Sequence, residues 1–324
     1  MSGREIIAIG GSAGSIEVIR RICRELPADL GACVLIAVHV AVNGRNLLAG
    51  ILESGGPLPA STAVDGERAE RGRIYVAPAD SHLVIDTGVL RLGRGPRENM
   101  ARPAIDPLFR SVGINSGPKA IGVLLSGMLN DGASGLADLK RCGGVTVVQN
   151  PLDAAESEMP LTALRASDID YRAPAADLAD LLARLTKEVP GPAIPPPDSI
   201  ALEMAIAIGR PSDSDNLREI ADPVPLSCPG CGGTMSQIRR DPLRFRCQVG
   251  HGYTAEALAH EQEGSVDEAV RIAVRVIGER VVLMEKMTLD SHQAGRTAAA
   301  RTFETRAQEY RRHAAVLMDA ALNR

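Results

Sequence analysis

From residue 5 to about residue 187, short continuous apolar runs alternate with stretches of helical spacing. Ile6 to Ile9 is an apolar run closed by Gly10-Gly11, the pattern of a strand buried on both faces. Ile16, Ile19, Ile22 and Cys23 follow at helical spacing with Arg and Glu between them. Cys33 to His39 predicts a second buried strand, and Leu47 to Leu52 a helix. Arg73 to Pro78 and Leu83 to Leu92, with Thr87-Gly88 at the turn, read as an antiparallel excursion with a hairpin. Asp106 to Ile114 has helical spacing, with Asp106 as candidate N-cap. Ala120 to Leu125 predicts a strand, 133–141 a helix and Val145 to Val148 another strand. Helices near 160–167 and 176–187 close the series. Strands alternating with helices predict an α/β fold, a doubly wound, mostly parallel sheet covered on both faces.

After residue 188 the pattern changes. Pro190, Pro192 and Pro195 to Pro197 predict a stiff linker over 189–226, with one short helix at Ile200 to Ile208. Residues 227–255 hold a cysteine cluster. Residues 256–324 contain no proline and are rich in Ala, Glu and Arg. A break at Asp290 to Gly295 divides them into a helical hairpin. The domains predicted are 1–188, the linker 189–226, a small module 227–255 and the hairpin 256–324.

Composition narrows the function. Of 324 residues 45% are hydrophobic but only 2% aromatic, so aliphatic side chains must fill the core. The net charge of −4 gives no electrostatic reason to expect nucleic acid. The run Ile6 to Ile9 is too short for a signal peptide, and no stretch reaches the roughly 20 apolar residues of a membrane span. The expectation is a soluble, cytoplasmic protein without membrane insertion.

Gly10-Gly11-Ser12-Ala13-Gly14 fits G-x-S-x-G at a strand-to-helix turn, the context of a nucleophile elbow. Backbone N–H groups at the helix start can stabilise an oxyanion. A helix N-cap serine fits the same pentapeptide. A dinucleotide loop fits it poorly, because Ser12 and Ser15 replace the second and third glycines of G-x-G-x-x-G. A serine nucleophile needs a base. His39 ends the second predicted strand, at the same sheet edge as Ser12, and is the better candidate. His82 precedes the hairpin and reads as structural, while His260, His292 and His313 lie in the helical tail. Asp131, in a glycine-flanked turn after the strand Ala120 to Leu125, is the candidate orienting carboxylate; a helix N-cap is its other reading. The order Ser, His, Asp differs from the Ser, Asp, His of the α/β-hydrolases, but the same geometry arises on unrelated folds.

These blocks resemble the catalytic domain of the CheB-type chemotaxis protein-glutamate methylesterases. The likeness runs from about Ile6 to Leu185. It covers IAIGGSAGS around Ser12, DGERAERGRIYVAPADSHL at 65–83, RPAIDPLFRSV at 102–112, VLLSGMLNDGASGL around Asp131, VVQNP at 147–151 and Met159-Pro160. The resemblance implies hydrolysis of γ-glutamyl methyl esters on methylated chemoreceptor helices, with glutamine deamidation as a companion activity. It implies no cofactor for catalysis, the triad Ser12, His39 and Asp131, and site-shaping roles for Ala13 and Met128. Ala13 stands where the family has threonine, and Val40-Ala41 where it has Met-Pro. A receiver domain usually precedes the family's catalytic domain, so a stand-alone form is expected here. A non-enzymatic scaffold of the same fold, or an esterase on another ester, are the alternatives.

Cys228-x2-Cys231-x15-Cys247-x3-His251 has the ligand types and spacing of a closed structural zinc site. A module of about 30 residues would depend on the metal to fold. Some stand-alone methylesterase-like proteins carry a similar CPxCGG…RFRCxVGH tail. Arg239, Arg240, Arg244 and Arg246 in the module admit a nucleic-acid ribbon as a weaker alternative. A protein-docking or regulatory role is preferred for the tail: the helical hairpin could mediate self-association or hold a methyltransferase, a signalling kinase or the receptor, and simple packing against the cysteine module is its other reading.

Overall fold

The computed structural model describes residues 3–39, 47–212 and 214–322; Val40 and Ala41 lie outside the described residues. Contacts divide the chain into two compact units, Met1–Leu258 and Ala259–Arg324.

The first unit is built on seven parallel strands. In chain order they are β1 (Ile6–Gly11), β2 (Cys33–Val38), β3 (Ala60–Thr62) and β4 (Ile74–Val76). An antiparallel hairpin, β5 (His82–Asp86) and β6 (Val89–Gly93), stands outside the sheet. β7 (Ala120–Leu124), β8 (Val145–Gln149) and β9 (Tyr171–Ala173) complete it. The sheet order is β3-β4-β2-β1-β7-β8-β9. The segment at 73–78 is therefore not part of an antiparallel excursion: β4 pairs parallel with both β2 and β3, and only the 82–93 hairpin is antiparallel. Ile74, Tyr75 and Val76 are all buried, as a strand with neighbours on both sides and helices on both faces requires.

The helices are α1 (Ser15–Glu25), α2 (Leu48–Gly55), α3 (Ile105–Ser116), α4 (Ala133–Arg141), α5 (Glu158–Ala166) and α6 (Leu178–Lys187). Alternation along β1 assigns the two faces. Ile7 and Ile9 join a core with Ile19 and Ile22 of α1, Leu52 of α2 and Leu182 of α6. Ile6 and Ala8 face the opposite core, with Phe109 of α3, Leu136 of α4, Met159 of α5 and Leu83 of the hairpin. This is the doubly wound architecture the strand-helix alternation predicts.

The chain leaves β1 toward β2 on one side and reaches β7 on the other, so the strand order reverses at the carboxyl ends of β1 and β7. Ligand sites in open α/β sheets form at such a point.

Residues 189–226 are more structured than a linker. They carry α7 (Asp198–Ile208), α8 (Ser214–Ile220) and most of β10 (Ala221–Ser227). β10 begins a four-stranded antiparallel ribbon with β11 (Thr234–Ile238), β12 (Arg244–Cys247) and β13 (Gly252–Thr254). A buried ion network holds these segments together. Arg110 of α3 donates to Glu98 and Asp138, Arg244 and Arg246 of β12 donate to Glu203 of α7, and Arg246 also reaches Glu98. Arg240 bonds Asp138 and Glu203. Three of the four arginines that admitted a nucleic-acid surface are thus engaged inside the protein; Arg239 pairs with Asp222 at the surface.

The second unit contains the greater part of α9 (Ala255–Gln293) and α10 (Thr297–Leu322). The turn between them closes on Gly295 at φ 69°, with its N–H on the His292 carbonyl and that of Arg296 on Ser291. Ala300, Ala307 and Val281 are buried, and Arg280 lies over the Tyr310 ring.

Candidate active site

The turn after β1 explains how Ser12 is presented. α1 is capped by Gly14 in the left-handed region, φ 76°, and no side chain caps it. A Cβ at Gly14 would also fall 2.6 Å from the Ala155 Cβ. Ser12 is therefore not the helix cap. Its main chain is pinned instead: its N–H donates to the Ser126 carbonyl at 2.9 Å, and its carbonyl accepts from the Ser15 N–H and hydroxyl. Its own hydroxyl stays free to face the histidine.

His39 immediately follows β2, the neighbour of β1. Its Nδ1 lies 3.1 Å from Ser12 Oγ, and its Nε2 lies 2.8 Å from Asp131 Oδ2. Asp131 accepts only when ionised, so Nε2 carries the proton and donates it, leaving Nδ1 to accept from the serine hydroxyl. Ser12, His39 and Asp131 form one hydrogen-bonded chain across the carboxyl ends of β1, β2 and β7.

Asp131 is 2% exposed and has four donors. Oδ2 accepts from His39 and from the Ile105 N–H at 2.7 Å. Oδ1 accepts from Asn99 Nδ2 at 3.0 Å and the Asp106 N–H at 3.3 Å. Asp131 thus does not cap its own helix α4, which begins at left-handed Gly132. It sits at the N-terminus of α3, where orphan N–H groups and the helix dipole favour an anion. Burial opposes its charge, but the His39 bond and these donors outweigh it and hold its pKa below the ordinary value.

Two residues beneath the site went unrecognised in the sequence. Asp106 is not the N-cap of α3; it lies in the first turn, where Ala104 takes the capping position. Its Oδ1 accepts from the Gly132 and Gly135 N–H groups at 3.0 and 2.6 Å. Burial and the charge of Asp131 push its pKa up to about 7. Asn99 bridges the two carboxylates, its Nδ2 also donating to Asp106 at 3.0 Å. Its surroundings in sequence, Arg94, Arg97, Glu98 and Arg102, are charged, so no local pattern marks it as buried. Nothing local shows that its partners lie 7, 32 and 155 residues away.

Ala13 and Met128 are both exposed beside Ser12. Gly127 approaches so closely that a Cβ there would lie 3.0 Å from the Ser12 Cβ, which fixes the turn carrying Met128 against Ser12. Among the described residues the backbone N–H groups of Ala13 and Met128 have no hydrogen-bond partner. His82 is fully buried, donating from Nε2 to the Pro96 carbonyl and accepting from the Ala104 N–H at Nδ1; it supports the hairpin.

The ligand atoms of Cys228, Cys231, Cys247 and His251 all lie within 4.8 Å of one another. Cys231 Sγ is 3.7 Å from Cys247 Sγ, too far for a disulfide, and His251 Nδ1 is 3.7 and 3.6 Å from the Cys228 and Cys247 sulfurs. A tetrahedral zinc with ordinary bond lengths sets S···S and S···N edges of about 3.8 and 3.5 Å. The four residues fit a metal ion.

The fold is a doubly wound α/β sheet, and at its switch point a serine, a histidine and a buried carboxylate are hydrogen-bonded in series, the arrangement a hydrolase triad requires. The CheB methylesterase family model matches residues 7–182, more than half of the chain, and the chain belongs to this family. A Leptospira interrogans protein is 36% identical over 182 residues, 56% of this chain and 94% of its own length. An Anaeromyxobacter dehalogenans protein-glutamate methylesterase/protein-glutamine glutaminase is 39% identical over 180 residues, 55% of this chain and 53% of that one. The Thermotoga maritima CheB methylesterase catalytic domain superposes with a TM-score of 0.54 at 29% identity, covering 57% of this chain and all of that one. The chain spans about half the length of the Anaeromyxobacter relative.

Proposed function

We propose that this chain hydrolyses γ-glutamyl methyl esters of chemoreceptors, with Ser12 as nucleophile, His39 as base and Asp131 as the carboxylate that orients His39. The observation that carries the reading is the unbroken Ser12–His39–Asp131 chain at the switch point of a CheB-family sheet. Ser12 Oγ attacks the ester carbonyl as its proton passes to His39 Nδ1. Asp131 stabilises the resulting imidazolium. The free N–H groups of Ala13 and Met128 are suited to receive the oxyanion. His39 then protonates the departing methoxide, methanol leaves, and water attacks the acyl-enzyme with the same proton shuttle in reverse. The product is a glutamate carboxylate. With glutamine as substrate the leaving group is ammonia and the steps are the same. An open pocket beside the Met128 turn is lined by Leu129 and Leu161 together with Glu158, Arg165 and Glu256, and its leucines suit the apolar positions of a receptor helix.

In the ribbon, Cys228, Cys231, Cys247 and His251 would hold a structural zinc. Three thiolates and an imidazole leave no open position for substrate chemistry. Exposed Val282, Leu283, Leu289 and Val316 on α9 and α10 support a partner-binding role for the hairpin, with a methyltransferase or signalling kinase as candidates. Among the described residues no helix is long and apolar enough to cross a membrane.

Methanol release from methylated receptor, measured for the wild type and Ser12→Ala side by side, tests the esterase reading. Release by the wild type that Ser12→Ala abolishes is expected; an unchanged rate in the variant removes Ser12 from the mechanism. Fluorophosphonate labelling of Ser12 without methanol release would point to a different ester.

A further inference from the structure

Asn99 stands between the ribbon and the catalytic carboxylate, and its amide has no freedom to turn. Its Oδ1 accepts from the N–H of Thr254, the last residue of β13, at 3.0 Å. Its two Nδ2 hydrogens go to Asp131 and Asp106. A flipped amide would aim its oxygen at two carboxylates and its NH2 at a backbone donor, losing all three bonds. The Thr254 N–H therefore acts with the two carboxylates to fix which end of Asn99 meets Asp131.

The backbone around Asn99 also depends on the ribbon. Asn99 and Met100 both sit in the left-handed region, at φ 48° and 63°. Asparagine tolerates it, but for methionine it is strained and must be held from outside. The Asn99 N–H donates to the Gly252 carbonyl at 2.8 Å, and the Gly252 N–H returns to the Arg97 carbonyl. Glu98 is clamped by Arg110 on the sheet side and Arg246 on the ribbon side. Gly252 and Thr254 follow His251 directly, and Arg246 precedes Cys247, so the residues that hold the loop flank two of the four candidate ligands.

We propose, resting on the reading of Ser12 as nucleophile, that Asn99 is a positioning residue for Asp131 and that metal in the ribbon sets the activity of the esterase through it. With metal bound, β13 presents Thr254 and Gly252 and the amide is oriented. Without it β12 and β13 lose their cross-link, the 97–101 loop is released, and Asp131 loses a donor that keeps it aligned on His39.

The experiment uses the full chain, zinc-loaded and after removal of zinc by a chelator. The first readout is hydrogen–deuterium exchange, which needs neither an ester nor a live nucleophile. Chelation should strip protection from residues 97–101 while strands β1, β2 and β7 stay protected. Unchanged protection at 97–101 overturns the coupling whatever the enzyme does. The second readout is the rate of fluorophosphonate labelling at Ser12. Chelation should slow it about tenfold in the wild type, the loss expected for a hydrogen bond to a charged group. Zinc-loaded Asn99→Ala should be equally slow, and chelation should slow that variant no further, because both changes break the same link. Equal chelation effects on wild type and Asn99→Ala overturn the route through Asn99. If chelation unfolds the whole unit, the zinc-loaded variant decides: Asn99→Ala must lower kcat about tenfold at unchanged KM, and normal kcat refutes the proposal. Failure of the wild type to label at all would count against Ser12 as nucleophile, leaving the exchange result to judge the coupling alone.

Discussion

Glu203 comes from the stretch that reads as a linker, yet its carboxylate is 1% exposed among arginines. Oε1 accepts from Arg240 at 2.8 Å and Arg244 at 2.7 Å, and Oε2 from Arg246 at 3.1 Å. Removed singly, each charge-assisted bond would be worth about 1.5–3 kcal/mol. They will not sum, because Asp138 and Glu98 remain to share the arginines. Breaking a buried ion pair by deleting one partner costs about 3–5 kcal/mol, and that loss is expected for Glu203→Ala. In a unit of this size it lowers Tm by about 6–20 °C. Glu203→Gln should fall between, keeping an acceptor and losing the charge. Glu17→Ala, which removes an exposed pair with Arg20, serves as control and should shift stability by less than about 0.5 kcal/mol. The chain has no tryptophan, and three of its four tyrosines lie within residues 1–258. Tyrosine fluorescence during urea unfolding therefore reports mainly the first unit. A loss below about 1 kcal/mol for Glu203→Ala would refute the view that α7 is part of the unit's buried framework.

Asp131→Asn should leave circular dichroism unchanged but slow fluorophosphonate labelling of Ser12 by about 10⁴-fold, through the wrong imidazole tautomer; normal labelling would exclude Asp131 from the triad. Acid should weaken the fold through Glu98 and Glu203. Burial opposes their charge, but Arg110 and Arg246 at Glu98, and Arg244, Arg110 and Arg246 at Glu203, hold both well below the usual 4.5, with Glu203 at about 2. Their contribution is full above about pH 4.5 and is lost as pH falls toward 2, so Tm between pH 3 and 7 should vary less in Glu203→Gln than in wild type. Asp106 acts with the opposite sign: with its pKa raised to about 7, it favours the fold at low pH, and this contribution fades as pH rises from about 4 to 7. Elemental analysis should find about one zinc per chain and none in Cys228→Ser.

The meeting of Ser12, His39 and Asp131 was legible because each follows a continuous apolar strand, and the carboxyl ends of neighbouring parallel strands lie side by side. The strands β3 and β9, three residues each, are too short to show a period. The segment at 73–78 misled because its nearest apolar neighbour in sequence is the hairpin, while its partners are β2 and β3. The buried roles of Asn99, Asp106 and Glu203 were hidden for a different reason. A buried polar residue shows its worth only through its partners, and theirs come from segments far along the chain. Arg240, Arg244 and Arg246 look like a cationic surface in sequence until Glu98, Asp138 and Glu203 are brought to them.

The scattered cysteines carry a practical consequence. Cys23, Cys33 and Cys142 are buried, and burial pushes their thiols up to about 12, 12 and 11. They stay protonated and shielded at neutral pH, and a protonated thiol is a poor nucleophile. In the native protein, reaction with a thiol-directed dye is thus confined to the ribbon, where Cys231 is exposed. If the ribbon holds zinc as proposed, the colour developed counts the ribbons without it, a gauge of metal loading built into the native sequence.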